Sequence, residues 1–360
     1  MIWKQSLNEL YGMWKKGRKM KEIEFLYLNQ VDVRETAVDM QTAIEAIEDA
    51  FRLHHLGETN LPYKTVLDMG ERERGRGNAM PAYVGGDYRI FGIKWIAGFP
   101  MNPVKFGLPR ATGLFILNDY QSGIPLAVMD CSLLSAMRTG AVTGVGAKYM
   151  ARSDSGVLAI IGAGVQARTQ LEALMLTVPG IKEVRAFDIR METAERFVRE
   201  MGDRFASKGR SVRIEAVGTP REAVEGADII VTVTVADEPI VKDAWVKEGS
   251  FFAGVGSYQE EEFEVVTNSD RIVVDAMEHV LHRETPVIAL MVRQGLIDRD
   301  RVVELGGIVC GEIPGRESPE ERIFFSPIGL AIEDVCLCTR VYRTALEKGL
   351  GTRLKLFGYS

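Results

Sequence analysis

The sequence predicts an α/β protein of two domains, one built on a parallel sheet and the other on a mixed α+β arrangement. Three observations support this fold class. The chain of 360 residues is long enough for two hydrophobic cores. Its second half alternates helices with short strands that are apolar on both faces, which is typical of a parallel sheet covered by helices. Its first half contains consecutive strand-like segments separated by turns.

The composition is that of an ordinary globular protein, with 46% hydrophobic and 26% charged residues. The 44 basic and 50 acidic residues nearly balance, so nothing favours nucleic acid as a partner. No apolar run reaches the roughly 20 residues of a membrane-spanning helix, and no secretory signal begins the chain. Cys131, Cys310, Cys336 and Cys338 have neither zinc-site nor disulfide spacing. We therefore expect reduced thiols, a cytoplasmic protein and no bound metal.

The amino-terminal segment carries apolar side chains at helical spacing. These are Trp3, Leu7, Leu10 and Trp14. The pattern predicts an amphipathic helix that docks on the body of the protein or on a second subunit. A membrane surface is the less favoured alternative.

The first domain is expected to comprise residues 1–138 together with 326–360. Residues 41–57 have helical periodicity and end at a glycine, as a capped helix does. Strands are then predicted over Lys64–Met69, Met80–Val84, Ile90–Ile96, Ala111–Asn118 and Pro125–Asp130. A helix is expected over Leu133–Met150. A last helix over Gly329–Leu350 is apolar along one face, so we expect it to pack back on this domain.

The middle of the chain, residues 139–325, is predicted to be a Rossmann domain. Its strands are expected at 156–161, Lys182–Asp188, Val212–Ala216, Asp228–Thr234, Ser250–Gly254 and Arg271–Asp275. Helices are expected at Gln166–Thr177, Glu192–Phe205 and Arg221–Gly226. The strands Ser250–Gly254 and Arg271–Asp275 are expected to be the last two of the parallel sheet.

A dinucleotide fingerprint follows the first of these strands. The segment Gly162–Ala167 has the form G-x-G-x-x-A. Gly162 permits the tight turn, Gly164 lets the backbone approach a pyrophosphate, and Ala167 permits close packing of helix on strand. The phosphates then lie on exposed amides at a helix N-terminus. The motif alone is weak evidence, but here a strand, a helix and a second strand accompany it.

The cofactor is predicted to be NAD. Asp188 ends the second strand, about 20 residues past the fingerprint, where a carboxylate accepts hydrogen bonds from ribose hydroxyls and repels a 2′-phosphate. Arg190 keeps NADP as the less favoured alternative, because its side chain can neutralise a phosphate. We expect the glycine turn and the carboxyl ends of the other strands to contact the cofactor. These residues are Gly162, Gly164, Val165, Gln166, Asp188, Ile189, Arg190, Thr232, Val233, Thr234, Val255, Gly256 and Ser326.

Basic residues ahead of the Rossmann domain are candidates for binding a substrate carboxylate. Arg138 lies in a predicted helix and can reach the junction of the domains, and Lys64 lies on a first-domain strand. Lys94 lies in an apolar strand, so it is either buried at a site or extends its amine to the surface. Asp237 follows the strand Asp228–Thr234 at the carboxyl edge of the sheet, where it can act as general acid and base or only stabilise a turn.

Two other clusters are interpreted as structural. His279 and His282 lie three residues apart with no third metal ligand in evidence, so we expect a solvated helix face. The acidic run Glu260–Glu262 is expected at the surface. No Ser-His-Asp or Cys-His arrangement and no P-loop is present.

Taken together, these motifs resemble the ornithine cyclodeaminase/mu-crystallin family from about Phe25 to the final helix. The matching segments are Met80–Tyr83, Lys94–Pro100, Leu117–Asp119, Ser122–Pro125, Leu134–Ala141, Gly162–Gln166, Gly254–Tyr258 and Ser326–Asp334. The S-A-M-R-T-G-A and G-L-A-I-E-D segments are the most specific.

The resemblance implies a homodimer in which the first domain and the last helix bind substrate and form the dimer. It implies that Lys94 and Arg138 bind the substrate carboxylate, and that Thr139 contacts a cofactor phosphate. It also implies that Asp237 is the acid and base. We therefore assign Asp237 and Lys94 to catalysis. The substrate group comprises Lys64, Asn78, Met80, Lys94 and Arg138, and the cofactor group additionally contains Arg138 and Thr139.

Two residues depart from the family pattern. Lys64 stands where arginine is usual, which keeps the charge but loses the bidentate fork. Asn78 stands where true cyclodeaminases carry a glutamate. The leading hypothesis is therefore an NAD-dependent dehydrogenase or imine reductase acting at the α-carbon of a small amino acid. A cyclodeaminase lyase with catalytic NAD and a non-catalytic NAD(P)H-binding protein are the alternatives.

Overall fold

A computed structural model describes residues 22–70, 75–236, 238–256 and 258–357. The predicted amino-terminal helix and Asp237 lie outside the described residues. The described part of the chain forms two sheets of eight strands each, surrounded by helices.

The first sheet is mixed and comes from residues 23–130 and 352–357. Its strands are β1 (Ile23–Leu28), β2 (Thr59–Asn60), β3 (Thr65–Asp68), β4 (Arg76–Val84), β5 (Ile90–Gly98), β6 (Ala111–Asp119), β7 (Pro125–Asp130) and β16 (Thr352–Phe357). Their order is β16-β1-β7-β6-β5-β4-β2, with β3 also paired to β4. Strands β1 and β7 are parallel, and the other neighbours are antiparallel. All five strands predicted for this half are present.

The second sheet is entirely parallel. Its strands are β8 (Val157–Ile161), β9 (Glu183–Phe187), β10 (Arg213–Ala216), β11 (Ile229–Thr232), β12 (Phe251–Gly254), β13 (Arg271–Val274), β14 (Val302–Glu304) and β15 (Ile323–Ser326). Their order is β10-β9-β8-β11-β12-β15-β13-β14. The strand order reverses between β8 and β11, which is where sheets of this type bind dinucleotides. The predicted α/β class with a Rossmann domain is confirmed.

The expectation that β13 completes this sheet was wrong. Strand β15 lies between β12 and β13, and β14 forms the edge beyond β13. Strand β14 has three residues and β15 has four, and the sequence analysis predicted no strand in either segment.

The helices connect and cover the two sheets. They are α1 (Gln30–Glu35), α2 (Met40–His55), α3 (Asn102–Lys105), α4 (Ser132–Met150), α5 (Val165–Thr177), α6 (Met191–Ser207), α7 (Pro220–Val224), α8 (Phe263–Thr267), α9 (Met277–Arg283), α10 (Val287–Arg293), α11 (Leu305–Val309) and α12 (Ala331–Lys348). Helix α12 packs against α2, β4 and β5, as its apolar face leads one to expect. None of the helices in the described ranges combines the length and the apolar character needed to cross a membrane.

Helix α4 joins the two sheets and packs closely on α5. A Cβ atom at Gly140 would lie 2.4 Å from the backbone oxygen of Thr169, so only glycine permits this approach. The contact fixes α4 beside the start of the first Rossmann helix. Because α4 is continuous from Ser132 to Met150, the expected boundary at residues 138 and 139 lies inside a helix, and the domain division stays a prediction.

The four cysteines are unpaired. Cys131, Cys336 and Cys338 are buried, whereas Cys310 is partly exposed. Three of the four thus pack as small apolar residues, as the sequence predicts.

Candidate active site

A cavity of about 560 Å³ is lined by residues of both sheets. Predicted substrate residues Lys64, Asn78, Met80, Lys94 and Arg138 all line it. So do the predicted cofactor residues Thr139, Gln166, Val233, Thr234, Val255 and Gly256. The fold therefore brings together side chains that are widely separated in sequence.

Other predicted cofactor residues lie outside the lining of this cavity. They are Gly162, Gly164, Val165, Asp188, Ile189, Arg190, Thr232 and Ser326. Ser326 is buried and directly precedes the lining segment 327–329. Asp237, the predicted acid and base, lies outside the described residues, so its role stays a prediction.

Lys94 is buried and does not extend its amine to the surface. The residue is only 1% exposed, and its Nζ donates to Oδ2 of Asp334 at 2.6 Å. Arg138 Nη1 donates to Oε2 of Glu333 at 2.8 Å, and Arg138 Nε lies 3.5 Å from Oδ1 of Asp334. Unpaired buried charges are strongly unfavourable. The G-L-A-I-E-D segment therefore supplies the counterions that allow two cations to line the cavity.

The two carboxylates occupy the first turn of α12, where a helix dipole favours negative charge. Both side chains are buried, Glu333 fully and Asp334 at 2% exposure. Burial raises the pKa of Glu333 to about 7, although the Arg138 guanidinium opposes this shift. The family resemblance marks this segment in the sequence, but the role of Glu333 and Asp334 as counterions was not predicted.

Lys64 lies in an unusually positive environment. Burial is the largest cause that lowers the pKa of its amine to about 7, followed by the nearby charges of Arg283, Lys94, Arg138 and Arg76. Within the described ranges, no carboxylate lies within ion-pair distance of its Nζ. A bound carboxylate would relieve this repulsion, which supports the prediction that Lys64 binds substrate.

The variant Lys64→Met is expected to stabilise the ligand-free protein more at pH 6 than at pH 9. The pKa of Lys64 is lowered to about 7 in the folded state, whereas an unfolded lysine titrates near 10.4. The unfolded chain therefore binds more protons between these values, so wild-type stability rises with pH across that window. Removing the amine removes a penalty that is full below pH 7. Thermal unfolding at both pH values measures the difference.

The exposed Lys182→Met variant is the matched control and should change little at either pH. A gain for Lys64→Met that is equal or larger at pH 9 would contradict the expectation. The same variant should weaken binding of the substrate carboxylate.

The glycine turn has the geometry that a dinucleotide requires. Gly162 has a φ of 98°, and a Cβ there would lie 3.0 Å from the backbone oxygen of Val233. A Cβ at Gly164 would meet no atom within 4 Å, so open space adjoins this residue. Helix α5 begins at Val165, which leaves its first amides available to a phosphate.

Asp188 organises the same turn. Its Oδ2 accepts from the backbone N–H of Ala163 at 3.0 Å, and its Oδ1 accepts from the backbone N–H of Arg190 at 3.0 Å. Carboxylate oxygens retain further lone pairs, which suit ribose hydroxyls. Ile189 is 92% exposed beside them. These residues fit a dinucleotide cofactor.

The expectation that residues 260–262 form a surface run was wrong. Glu260 and Glu261 are each 1% exposed. Glu260 accepts backbone N–H groups from Thr234 at 2.6 Å and from Gly256 at 2.8 Å. Burial raises the pKa of both carboxyls. Glu260 thus joins the loops that follow β11 and β12, which both line the cavity.

The helix carrying His279 and His282 is only partly solvated. His282 is exposed, whereas His279 is half-buried. The Tyr63 ring stacks on His282 at a centroid distance of 4.0 Å and meets His279 edge-on at 5.0 Å. A smaller cavity of about 130 Å³ adjoins the main one at these histidines.

Two arginines of the cavity were not predicted from the sequence. Arg76 Nη2 donates to the hydroxyl of Tyr258 at 2.8 Å, and Arg283 Nη1 donates to the backbone oxygen of Ile328 at 3.2 Å. Both arginines line the cavity. Arg76 alternates with Asn78 and Met80 along β4, so strand periodicity was a usable signal. Arg283 ends a short helix, and no sequence pattern marks it.

This fold and this site define a class of proteins in which a parallel Rossmann-type sheet and a mixed sheet share one cleft lined by basic side chains. Residues 24–349 match the model of the ornithine cyclodeaminase/mu-crystallin family. The chain belongs to this family, as the sequence predicts.

Individual relatives agree with this assignment. The chain is 39% identical over 340 residues to an alanine dehydrogenase of Archaeoglobus fulgidus, covering 93% of this chain and 99% of that protein. Thermococcus litoralis Delta(1)-pyrroline-2-carboxylate reductase, solved with NADH and L-proline, superposes with a TM-score of 0.85 at 37% identity, covering 91% of this chain and 99% of that one. An archaeal alanine dehydrogenase dimer with bound NAD gives a TM-score of 0.84 at 38% identity, covering 93% and 100%.

Proposed function

We propose that the chain catalyses hydride transfer between NAD and the α-carbon of a small amino acid, or of the imine derived from it. The relatives confirm the broader class, an NAD-dependent oxidoreductase. The observation that carries the proposal is the shared cavity. Lys94 and Arg138, held by buried carboxylates, line the same space as the loops that follow β11 and β12.

In the proposed reaction, Lys94 and Arg138 bind the α-carboxylate and orient the α-carbon. Their counterions on α12 hold both cations in place before substrate arrives, so little reorganisation accompanies binding. Bound NAD supplies a hydride acceptor, and NADH a donor. Asp237 removes a proton from the substrate nitrogen in oxidation and returns it in reduction. Lys64 adds a third positive charge to the carboxylate site.

The cofactor is expected to lie across the glycine turn. Gly164 provides the open approach for the pyrophosphate, Thr139 contacts a phosphate, and Asp188 accepts from the ribose hydroxyls. The carboxylate of Asp188 disfavours a 2′-phosphate, which is why NADP is less favoured.

We further propose a homodimer formed through the outer face of the first sheet. Trp95, Leu114, Ile116 and Tyr27 are exposed large apolar side chains on that face, and Trp95 and Leu114 are cross-strand partners. Exposed apolar patches of this kind mark protein interfaces. The similar alanine dehydrogenase is a dimer. The unpaired cysteines support a cytoplasmic location.

The test follows NADH absorbance and ammonia together. Candidate amino acids are supplied with NAD, and pairs of a 2-oxo acid and an amine are supplied with NADH. The proposal predicts net formation of NADH from NAD with at least one amino acid. Ammonia without net NADH would instead identify a cyclodeaminase, which Asn78 disfavours because it replaces a carboxylate. No turnover, with NADH still bound, would favour the non-catalytic alternative.

A further inference from the structure

Arg168 lies in helix α5, four residues after Gly164 of the glycine turn, and outside the lining of the main cavity. Long side chains in a helix point back towards its N-terminus. The side chain of Arg168 does so and is only 24% exposed. Its guanidinium therefore reaches the turn on which the pyrophosphate of the cofactor is expected to lie.

The guanidinium binds two consecutive backbone oxygens of this turn. Arg168 Nη1 donates to the oxygen of Ala163 at 3.1 Å and to the oxygen of Gly164 at 2.8 Å. Both hydrogen bonds have a charged donor, so they are stronger than bonds between neutral groups. One side chain thus holds both peptide units that flank Gly164.

Holding these oxygens also sets the direction of the N–H groups in the same peptide units. A peptide unit is planar and trans, so its N–H points away from its C=O. With the oxygens directed at Arg168, the N–H groups of Gly164 and Val165 point away from it. Val165 is the first residue of α5, so its N–H has no partner within the helix. A Cβ at Gly164 would meet no atom within 4 Å, so open space adjoins this residue.

Helix α6 fixes the other side of the guanidinium. Arg168 Nε donates to Oε2 of Glu200 at 2.8 Å, and Arg168 Nη2 contacts the same oxygen. The guanidinium carbon lies 5.7 Å from the centre of the buried Phe197 ring, which is a cation–π contact. Because Glu200 balances the charge of Arg168, the side chain orients the turn more than it attracts anions.

The peptide groups of Ala163 are held on both sides. Its N–H donates to Oδ2 of Asp188 at 3.0 Å, and its oxygen accepts from Arg168. Asp188 directly follows β9, and Glu200 lies in α6, which is the next helix along the chain. The turn is thus tied to the two elements beside which the adenosine of the cofactor is expected. A turn held in this way before the ligand arrives loses little freedom on binding.

We propose that Arg168 is a positioning residue for the pyrophosphate of the cofactor, because it holds the turn with the N–H groups of Gly164 and Val165 directed at the phosphates. The location of the pyrophosphate on this turn rests on the proposed function. Lysine cannot replace Arg168 fully, since one amine lacks the planar fork that reaches the turn and Glu200 together. Glu200 acts through Arg168, so its loss should weaken the same contact to a smaller extent.

The test compares a ligand that has the pyrophosphate with one that lacks it. ADP-ribose is titrated by calorimetry and adenosine by ligand-observed NMR. Arg168→Gln should weaken ADP-ribose binding by about tenfold and adenosine binding by less than about twofold, as expected when a preorganised contact to phosphate is lost. Arg168→Lys and Glu200→Gln should each show part of the loss for ADP-ribose. Arg199→Gln is the matched control, because it removes an arginine charge from α6 at a side chain that is 68% exposed, and it should keep both affinities.

An equal loss for adenosine and ADP-ribose would mean that Arg168 only supports the fold, and it would overturn the proposal. So would an unchanged affinity for ADP-ribose in Arg168→Gln. Thermal unfolding checks that the variants fold, and Glu200→Gln makes the same comparison if Arg168→Gln does not.

The outcome for the proposed function is separate, because the titrations need no turnover. NADH that binds without reacting with any amino acid or imine would reject the proposed function and leave this result unchanged. A wild-type protein that binds neither ADP-ribose nor adenosine would reject the cofactor site itself, and the role of Arg168 with it.

Discussion

Replacing Lys94 by methionine is expected to lower kcat/KM by about 100- to 1,000-fold, the usual loss when a fixed electrostatic contact at the reacting centre is removed. The same variant should destabilise the protein by about 3–5 kcal/mol, because it leaves the buried Asp334 carboxylate only the longer contact of 3.5 Å with Arg138 Nε. Lys94 is 1% exposed and lies 2.6 Å from that carboxylate, so neither group can turn to solvent.

A double variant separates the two effects. In Lys94→Met combined with Asp334→Asn, the carboxylate that lost its short ion pair is gone, so about half or more of the lost stability should return. Arg138 keeps Glu333 as its counterion. Activity should not return, since the cavity still lacks the cation that binds the α-carboxylate.

Urea unfolding and steady-state kinetics on the single and double variants measure both effects. Recovery of activity together with stability would mean that Lys94 only supports the fold. Wild-type activity in the single variant would exclude Lys94 from the substrate site altogether.

The sequence predicted the fold well wherever a periodic pattern was long enough to recognise. Helix α2 shows clear helical periodicity, and the strands β4 to β7 show alternating periodicity. Strands β14 and β15 were not predicted, although β10 to β13, with four residues each, were. Strand β15 is fixed instead by its pairing with β12 and β13 on both sides, which is a tertiary effect.

In each ion pair of the site, the sequence predicted the basic residue but not its carboxylate partner. An isolated lysine in the apolar strand β5 indicated either a buried cation or one that reaches the surface, and its partner Asp334 lies 240 positions away in the chain. Local patterns cannot connect such residues, although buried charges require a partner. The run at Glu260 was misread for a similar reason. Its burial depends on the backbone N–H groups of Thr234 and Gly256, which sequence alone does not bring near.

Asp237→Asn is expected to lower kcat by about 10²–10⁴-fold, the usual contribution of a general acid and base. The amide is nearly isosteric with the carboxylate but cannot take up a proton from the substrate nitrogen. Hydrogen bonds fix the described residues that directly precede Asp237. Thr234 N–H donates to Glu260 at 2.6 Å, and the backbone N–H of Ala236 donates to the Thr234 hydroxyl at 3.0 Å. Binding of NADH should therefore be unchanged.

Steady-state kinetics of Asp237→Asn measure the loss of kcat, with Glu238→Gln as the control. The control variant alters the charge of the same loop without removing the proposed base. A full kcat in Asp237→Asn would transfer the acid–base role to another group of the cavity. Lys64 is suited to it, since its pKa is lowered to about 7 and a general base functions best near the working pH. In that case the pH dependence of kcat, rather than of substrate binding, would disappear in Lys64→Met.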